Sequence, residues 1–319
     1  MDQRIAEHAN IVVNYCCEVR KGDFVLVMAD GDARPLIREI ASRIGEKEAR
    51  LLVIDRDLSI DRSHLLAADK ETIATLPKPL FNLVRDSDAL IQIICSLNTQ
   101  ELSDVPPEKM SAMSKARGPL LSVIEGKRWN VTLHPTPALA QDAKMSFASY
   151  SDFVYSATIR DWPKMASQMK VLSDLFSKSK RVHLTGKDTD ISFSIEGRKP
   201  IIDDGKKNLP GGEVFISPVE TSVNGKVYFD LPINFLGRDI KGARLVYKDG
   251  EIVESDAEEG GEYLKALLST DPGARRLGEL GIGMNRGIDR FTKNILFDEK
   301  MGDTIHMAVG LAFEESGGT

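Results

Sequence analysis

Three cysteines and two tryptophans are all that 319 residues hold of these types, and aromatic side chains make up only 6% of the chain. Cys16 and Cys17 are neighbours and Cys95 stands alone, which gives neither a disulfide framework nor Cys-x-x-Cys metal spacing. Reduced, structural thiols are expected. No apolar run reaches the roughly 18 residues of a membrane-spanning helix; the longest, around Ala89-Leu90-Ile91-Gln92-Ile93-Ile94-Cys95, is strand-length and carries a glutamine. An excess of either charge is also missing. With 42 Lys and Arg against 48 Asp and Glu and a net charge of −6, neither a nucleic-acid surface nor an anionic-membrane surface is expected. The opening Met1-Asp2-Gln3-Arg4-Ile5-Ala6-Glu7 puts acids where a secretory leader needs a basic and then an apolar stretch, so the expected location is cytoplasmic.

What remains is 42% apolar and 28% charged residues, the mixture of a globular protein, in a length that favours two domains. In the first 125 residues two periodicities alternate. Ile5, Ala9, Val12, Val13 and Cys16 recur at helical spacing, and Phe24-Val25-Leu26-Val27-Met28 then reads as a strand buried on both faces. The cycle repeats: a helix over Pro35 to Arg43, a strand at Leu51 to Ile54, a helix over His64 to Leu76 and a strand at Ala89 to Cys95. A further helix over Pro107 to Ala116 and a strand at Leu120 to Ile124 complete it. Short apolar strands separated by helices predict an α/β domain with a doubly wound parallel sheet over residues 1–135. Asp161-Trp162-Pro163 opens another helix, with Asp as N-cap and Pro in the first turn. From Val182 onward, period-2 alternation (Ile191, Phe193, Ile195) and frequent glycine predict an α+β domain with a mixed or antiparallel sheet, over residues 136–319.

A doubly wound sheet invites a nucleotide, but the glycines do not support one. No Gly-x-Gly-x-x-Gly follows the first strand, and Asp30-Gly31-Asp32 sets one glycine between two carboxylates that repel phosphate. A P-loop and a Gly-x-Ser-x-Gly elbow are both missing. His8 and His64 lie in amphipathic helices, where a surface or edge role is the default; His134 and His183 read as structural.

His306 differs. In Thr304-Ile305-His306-Met307-Ala308 it shares one strand face with Thr304 and Ala308. Glu213, after Pro210-Gly211-Gly212, and Glu279, inside Leu277-Gly278-Glu279-Leu280-Gly281-Ile282-Gly283, are acids set among apolar and glycine neighbours. Burying either unpaired is costly, and a cation would account for both. Two carboxylates and an imidazole suit zinc, cobalt or manganese. The competing explanation is an ordinary salt bridge, for which Arg275 and Arg276 stand close to Glu279.

At these residues the sequence resembles the thermophilic metallo-aminopeptidase family, the group that includes aminopeptidases T and S. The resemblance runs from Thr185-Gly186-Lys187-Asp188 through Asn208 to Pro218, Leu277 to Asn285, Leu296 to Lys300 and Thr304 to Gly310, and so spans the C-terminal half. It implies a homodimeric exopeptidase acting on peptides, with two divalent metal ions per subunit. Glu213, Glu279 and His306 fall on three of its ligand positions, Glu279 on the one between the metals, and one of the two glutamates would pass a proton to the leaving amine. Two departures follow from the same resemblance. Where the family has a tyrosine thought to face the developing oxyanion, this chain has Phe313, and one lost donor costs on the order of 100-fold in rate. Relatives also continue to a His-x-Asp ligand pair past the point matched by Ser316-Gly317-Gly318-Thr319, so the expectation is a second metal two ligands short in this sequence. The alternative readings are a ring-cleaving dioxygenase of the dihydroxypyridine type, with one iron(II) on two histidines and a carboxylate, and a non-catalytic binding homologue that keeps the fold.

Overall fold

The computed structural model describes residues 2–235 and 238–318. The chain forms two compact units, one of Met1–Arg160 with Gly205–Gly211, the other of Asp161–Asp204 with Gly212–Thr319.

The first unit is built on a parallel sheet in the strand order Arg50–Asp55, Phe24–Ala29, Ala89–Ile94, Arg128–Leu133, Asn208–Leu209. Val25, Leu26, Val27, Ile91 and Ile93 are buried, as continuous apolar strands covered on both faces require. The α/β expectation for this half is met. Two elements differ: the helix expected over His64 to Leu76 is two, Leu58–Ala67 and Lys70–Ile73, and Leu120 to Ile124 is not a strand but the end of a helix, Pro107–Glu125, with the next strand at Arg128–Leu133. A short apolar run fits either state. Here Leu120, Val123 and Ile124 point to one side at helical spacing and pack with Val84 and Leu90.

The helices Pro137–Asp142 and Phe147–Thr158 belong to this first unit, although the sequence reading sets a boundary near residue 135. The second of them is attached to the N-terminal helix Gln3–Asn10. Arg4 lies 4.6 Å over the Tyr155 ring and 2.6 Å from Asp152, and His8 meets Tyr155 edge-on.

The second unit starts with the helix Trp162–Lys178, capped by the Asp161 carboxylate, which accepts from the Lys164 N–H. An antiparallel sheet follows in the order Glu251–Asp256, Arg244–Lys248, Asn224–Tyr228, Thr189–Ser194, Arg181–Gly186, with Ile191 and Phe193 turned inward. A second antiparallel sheet runs Thr304–Val309, Leu277–Gly283, Glu213–Ile216, Ile201–Asp203. This second sheet carries the site.

Candidate metal centre

Register decides which side chains meet. Gly281 pairs with His306 on one side and Phe215 on the other, and Gly283 pairs with Glu213, which in turn pairs with Asp203. Paired residues of an antiparallel sheet project to the same face, as do alternate residues along a strand. Asp203, Glu213, Glu279 and His306 therefore share one face of four adjacent strands.

A glycine makes the convergence possible. A Cβ placed on Gly281 would lie 2.0 Å from His306 Cε1 and 2.1 Å from its Nε2, so the imidazole lies over the bare backbone of the neighbouring strand. From there Nε2 reaches Glu279 Oε1 at 2.8 Å and Glu213 Oε2 at 3.2 Å. Glu213, Glu279 and His306 each offer one ligand atom, all within 4.8 Å of one another.

The surroundings are dry and rich in acid. Glu213 is 4% exposed and Glu279 7%. The buried Lys300 places Nζ 3.0 Å from Glu213 Oε1, 3.3 Å from Glu299 and 3.8 Å from Asp203. Burial opposes its charge, but Glu213, Asp203 and Glu299 outweigh that and hold the ammonium protonated. Burial likewise opposes a charged His306, yet the hydrogen bond to Glu279 and the charges of Glu213 and Glu299 lift its pKa above the usual histidine value. Burial raises the Glu299 carboxyl.

The surrounding charges bear on the choice between a salt bridge and a cation. Arg275 donates to the Ile252 carbonyl and Arg276 pairs with Glu251, so neither is the partner of Glu279. Glu213 does have a lysine, but only on Oε1; Oε2 is buried with no hydrogen bond, as is Nδ1 of His306. Lys300 is shared by Glu213 and Glu299, with Asp203 at longer range, and among the described residues the cationic partner of Glu279 is the imidazole. Buried negative charge in excess, an unsatisfied carboxylate oxygen and an O, O, N donor set fit a divalent cation.

Phe313 is half-exposed, its ring centroid 5.0 Å from that of Phe215, on the same strand face as Glu213. It has no hydroxyl to donate. The sequence reading did not single out Gly281, Lys300, Asp203 or Glu299. Gly281 had a visible signal, a glycine two positions after a strand acid; Lys300 had none, since its role comes from tertiary contact. Of the other histidines, His183 is exposed beside Asp190, and His134 is buried. His8, expected at a surface or edge, is fully buried.

A face with two buried carboxylates and an imidazole, beside a lysine that offsets only part of their charge, has the equipment of a metal-dependent hydrolase. The whole chain, residues 1–319, matches the family model described as thermophilic metalloprotease (M29), and it belongs to that family, whose members use divalent metal ions. It is 26% identical to Aminopeptidase 2 of Geobacillus stearothermophilus, over 98% of this chain and 84% of that one. It is 27% identical to Aminopeptidase T of Thermus thermophilus, over 97% and 84% respectively. The solved structure of wild-type AmpT from Thermus thermophilus superposes with a TM-score of 0.86 at 24% identity, covering 98% of this chain and 86% of that one, and so shares its fold. Among the described residues no helix is long and apolar enough to cross a membrane.

Proposed function

We propose that the protein is a metal-dependent aminopeptidase whose second unit is the catalytic domain and whose Glu213, Glu279 and His306 are metal ligands. One observation carries the reading: three neighbouring strands deliver these side chains to one buried spot, over a glycine that leaves room for the imidazole. The family match and the aminopeptidases among its relatives support the reaction class. The family match weighs against the iron(II) dioxygenase reading.

Bound divalent metal supplies a water with pKa near 7 and polarises the scissile carbonyl. The chain's own residues do the rest. Lys300 holds Glu213 by Oε1 and leaves Oε2 turned toward His306. Gly281 seats the imidazole. Glu213 or Glu279 takes up a proton from the attacking water and passes it to the leaving amine. Phe313 contributes an apolar edge and no oxyanion donor. The same reading takes zinc, cobalt or manganese as the metal and peptides with a free N-terminus as substrates. From the family resemblance it also takes two ions per subunit and a homodimer, and from the reduced thiols a cytoplasmic setting.

The test is hydrolysis of leucine p-nitroanilide by metal-loaded protein, with metal content measured in parallel. Glu279→Ala is expected to lower kcat/KM by about 10³-fold or more and to reduce bound metal. Unchanged turnover in Glu279→Ala, or retained iron(II) with oxygen uptake on a hydroxypyridine, overturns the reading.

A further inference from the structure

The first unit holds a cavity that the peptidase reading leaves unused. It has a volume of about 510 Å³ and is walled by one face of the parallel sheet and by the helices Leu58–Ala67, Lys70–Ile73, Lys78–Asp86 and Pro107–Glu125. Its walls come from two separate apolar clusters. Val84, Leu90 and Leu120 belong to one, Leu65 and Ile73 to the other. Two clusters that a single close-packed core would merge are parted by open space.

One charge in this space stands out. Arg117 lies on the Pro107–Glu125 helix between Met113 and Leu120, one turn to either side, and all three line the cavity. Its guanidinium thus sits in the middle of the helix's apolar stripe. Arg56 also lines the cavity but is committed to Asp30 and Asp61. Arg117 has no hydrogen bond or ion pair among the described residues; it is half-buried, and burial with the charge of Arg56 outweighs the weaker opposing charges of Asp61 and Asp30 in disfavouring its protonated form. A guanidinium cannot shed its proton to escape that cost, and a carboxylate held in the cavity would relieve it.

We propose that this cavity binds a small amphipathic carboxylate, with its head on Arg117 and its aliphatic chain among Leu65, Ile73, Leu80, Val84, Leu90 and Leu120. A planar guanidinium pairs with a carboxylate through two parallel hydrogen bonds. A monoanion matches the single unpaired cation. A dianion such as a phosphate ester would add more negative charge beside Asp61 and Asp30, two carboxylates that share the one guanidinium of Arg56. The volume falls in the range of small-ligand sites, whose walls are mostly apolar with a few placed polar groups. This site is independent of the metal centre, and its occupation does not require peptidase activity.

Calorimetric titration of the full chain with octanoate, octan-1-ol and octylamine, all below micelle-forming concentrations, tests it. Octanoate is expected to bind saturably at one per chain, at least tenfold more tightly than the alcohol or the amine. Arg117→Leu should abolish the preference for acid over alcohol while leaving alcohol binding unchanged, and Arg117→Lys should keep part of it. Ala116→Trp, which fills the cavity from the same helix, should remove binding of all three. Glu279→Ala should bind octanoate as the parent does. Absence of saturable octanoate binding, or an acid-over-alcohol ratio that Arg117→Leu leaves intact, overturns the proposal. So does tight binding of a peptide with a free C-terminal leucine when octanoate fails, because the occupant would then be a chain end and not a small molecule.

Discussion

His8 is a buried imidazole in one unit and His306 a partly buried one in the other, and their environments push them in opposite directions. His8 is fully enclosed; its Nε2 lies 2.7 Å from the Thr132 hydroxyl, and burial, with a smaller push from His134, takes its pKa down to about 3. His306 is partly buried, but Glu279, Glu213 and Glu299 overcome the burial penalty and raise it. In the first unit the imidazole is a neutral packing element whose Nε2 is paired with a neutral hydroxyl and whose Nδ1, like that of His306, is buried without a hydrogen bond. In the second it faces carboxylates that outnumber the available cations. A buried histidine is therefore no indicator of a site by itself; the charge balance around it is.

Removing Lys300, the one fully buried lysine or arginine among the described residues, breaks the comparison most strongly. Lys300→Met leaves Glu213 and Asp203 in the same dry space with no ammonium, and loss of one partner of a buried ion pair costs about 3–5 kcal/mol. Denaturant unfolding of the metal-free protein should show that loss. The metal-loaded protein should lose less, because a cation bound only to the folded state adds its own stabilisation. Next in size is Gly281→Ala. Its methyl group would meet the His306 ring at about 2 Å, so the ring must leave. We expect about 10²-fold lower kcat for a displacement of this order, with circular dichroism unchanged.

The effect in the first unit is silent at neutral pH and emerges only on acidification. His8 has a folded-state pKa near 3 against 6.5 unfolded, so below pH 6.5 the unfolded chain takes up the proton first. Its contribution to stability is whole above pH 6.5 and falls by about 1.4 kcal/mol per pH unit as the pH drops toward 3. Against the parent, His8→Gln should show a flatter loss of amide-exchange protection in the Ala89–Ile94 and Arg128–Leu133 strands between pH 6.5 and 4. An equal slope in both proteins would mean that His8 is not neutral when folded.

Much of the site was legible because strand periodicity and local composition carry it. Glu213 and Glu279 stand out as acids among apolar and glycine residues, and the alternation Thr304, His306, Ala308 sets the histidine's face. The parallel-sheet strands were legible for the same reason, as runs such as Val25-Leu26-Val27 suit a sheet covered on both sides. Features decided by tertiary packing were not. Leu120 to Ile124 is compatible with strand or helix until Val84 and Leu90 are placed beside it. The helices of residues 137–158 belong to the first unit through contacts of Tyr155 and Asp152 with the N-terminal helix, which sequence distance hides. His8 looked like a helix-surface residue because a polar side chain in an amphipathic helix usually is one; Thr132 and Tyr155 bury it. Lys300 and Asp203 lie far apart in sequence from Glu279, and only the folded sheet and the loops around it bring them near.

The central claim is that Glu213, Glu279 and His306 form one metal centre. Cobalt(II) titration of the protein, followed by visible absorption, tests it most directly, because the d–d bands report the ligands around the ion. The account predicts bands that saturate in the parent and change or vanish in each of Glu213→Gln, Glu279→Gln and His306→Ala. Identical spectra and uptake in all three variants would place the metal elsewhere and contradict it.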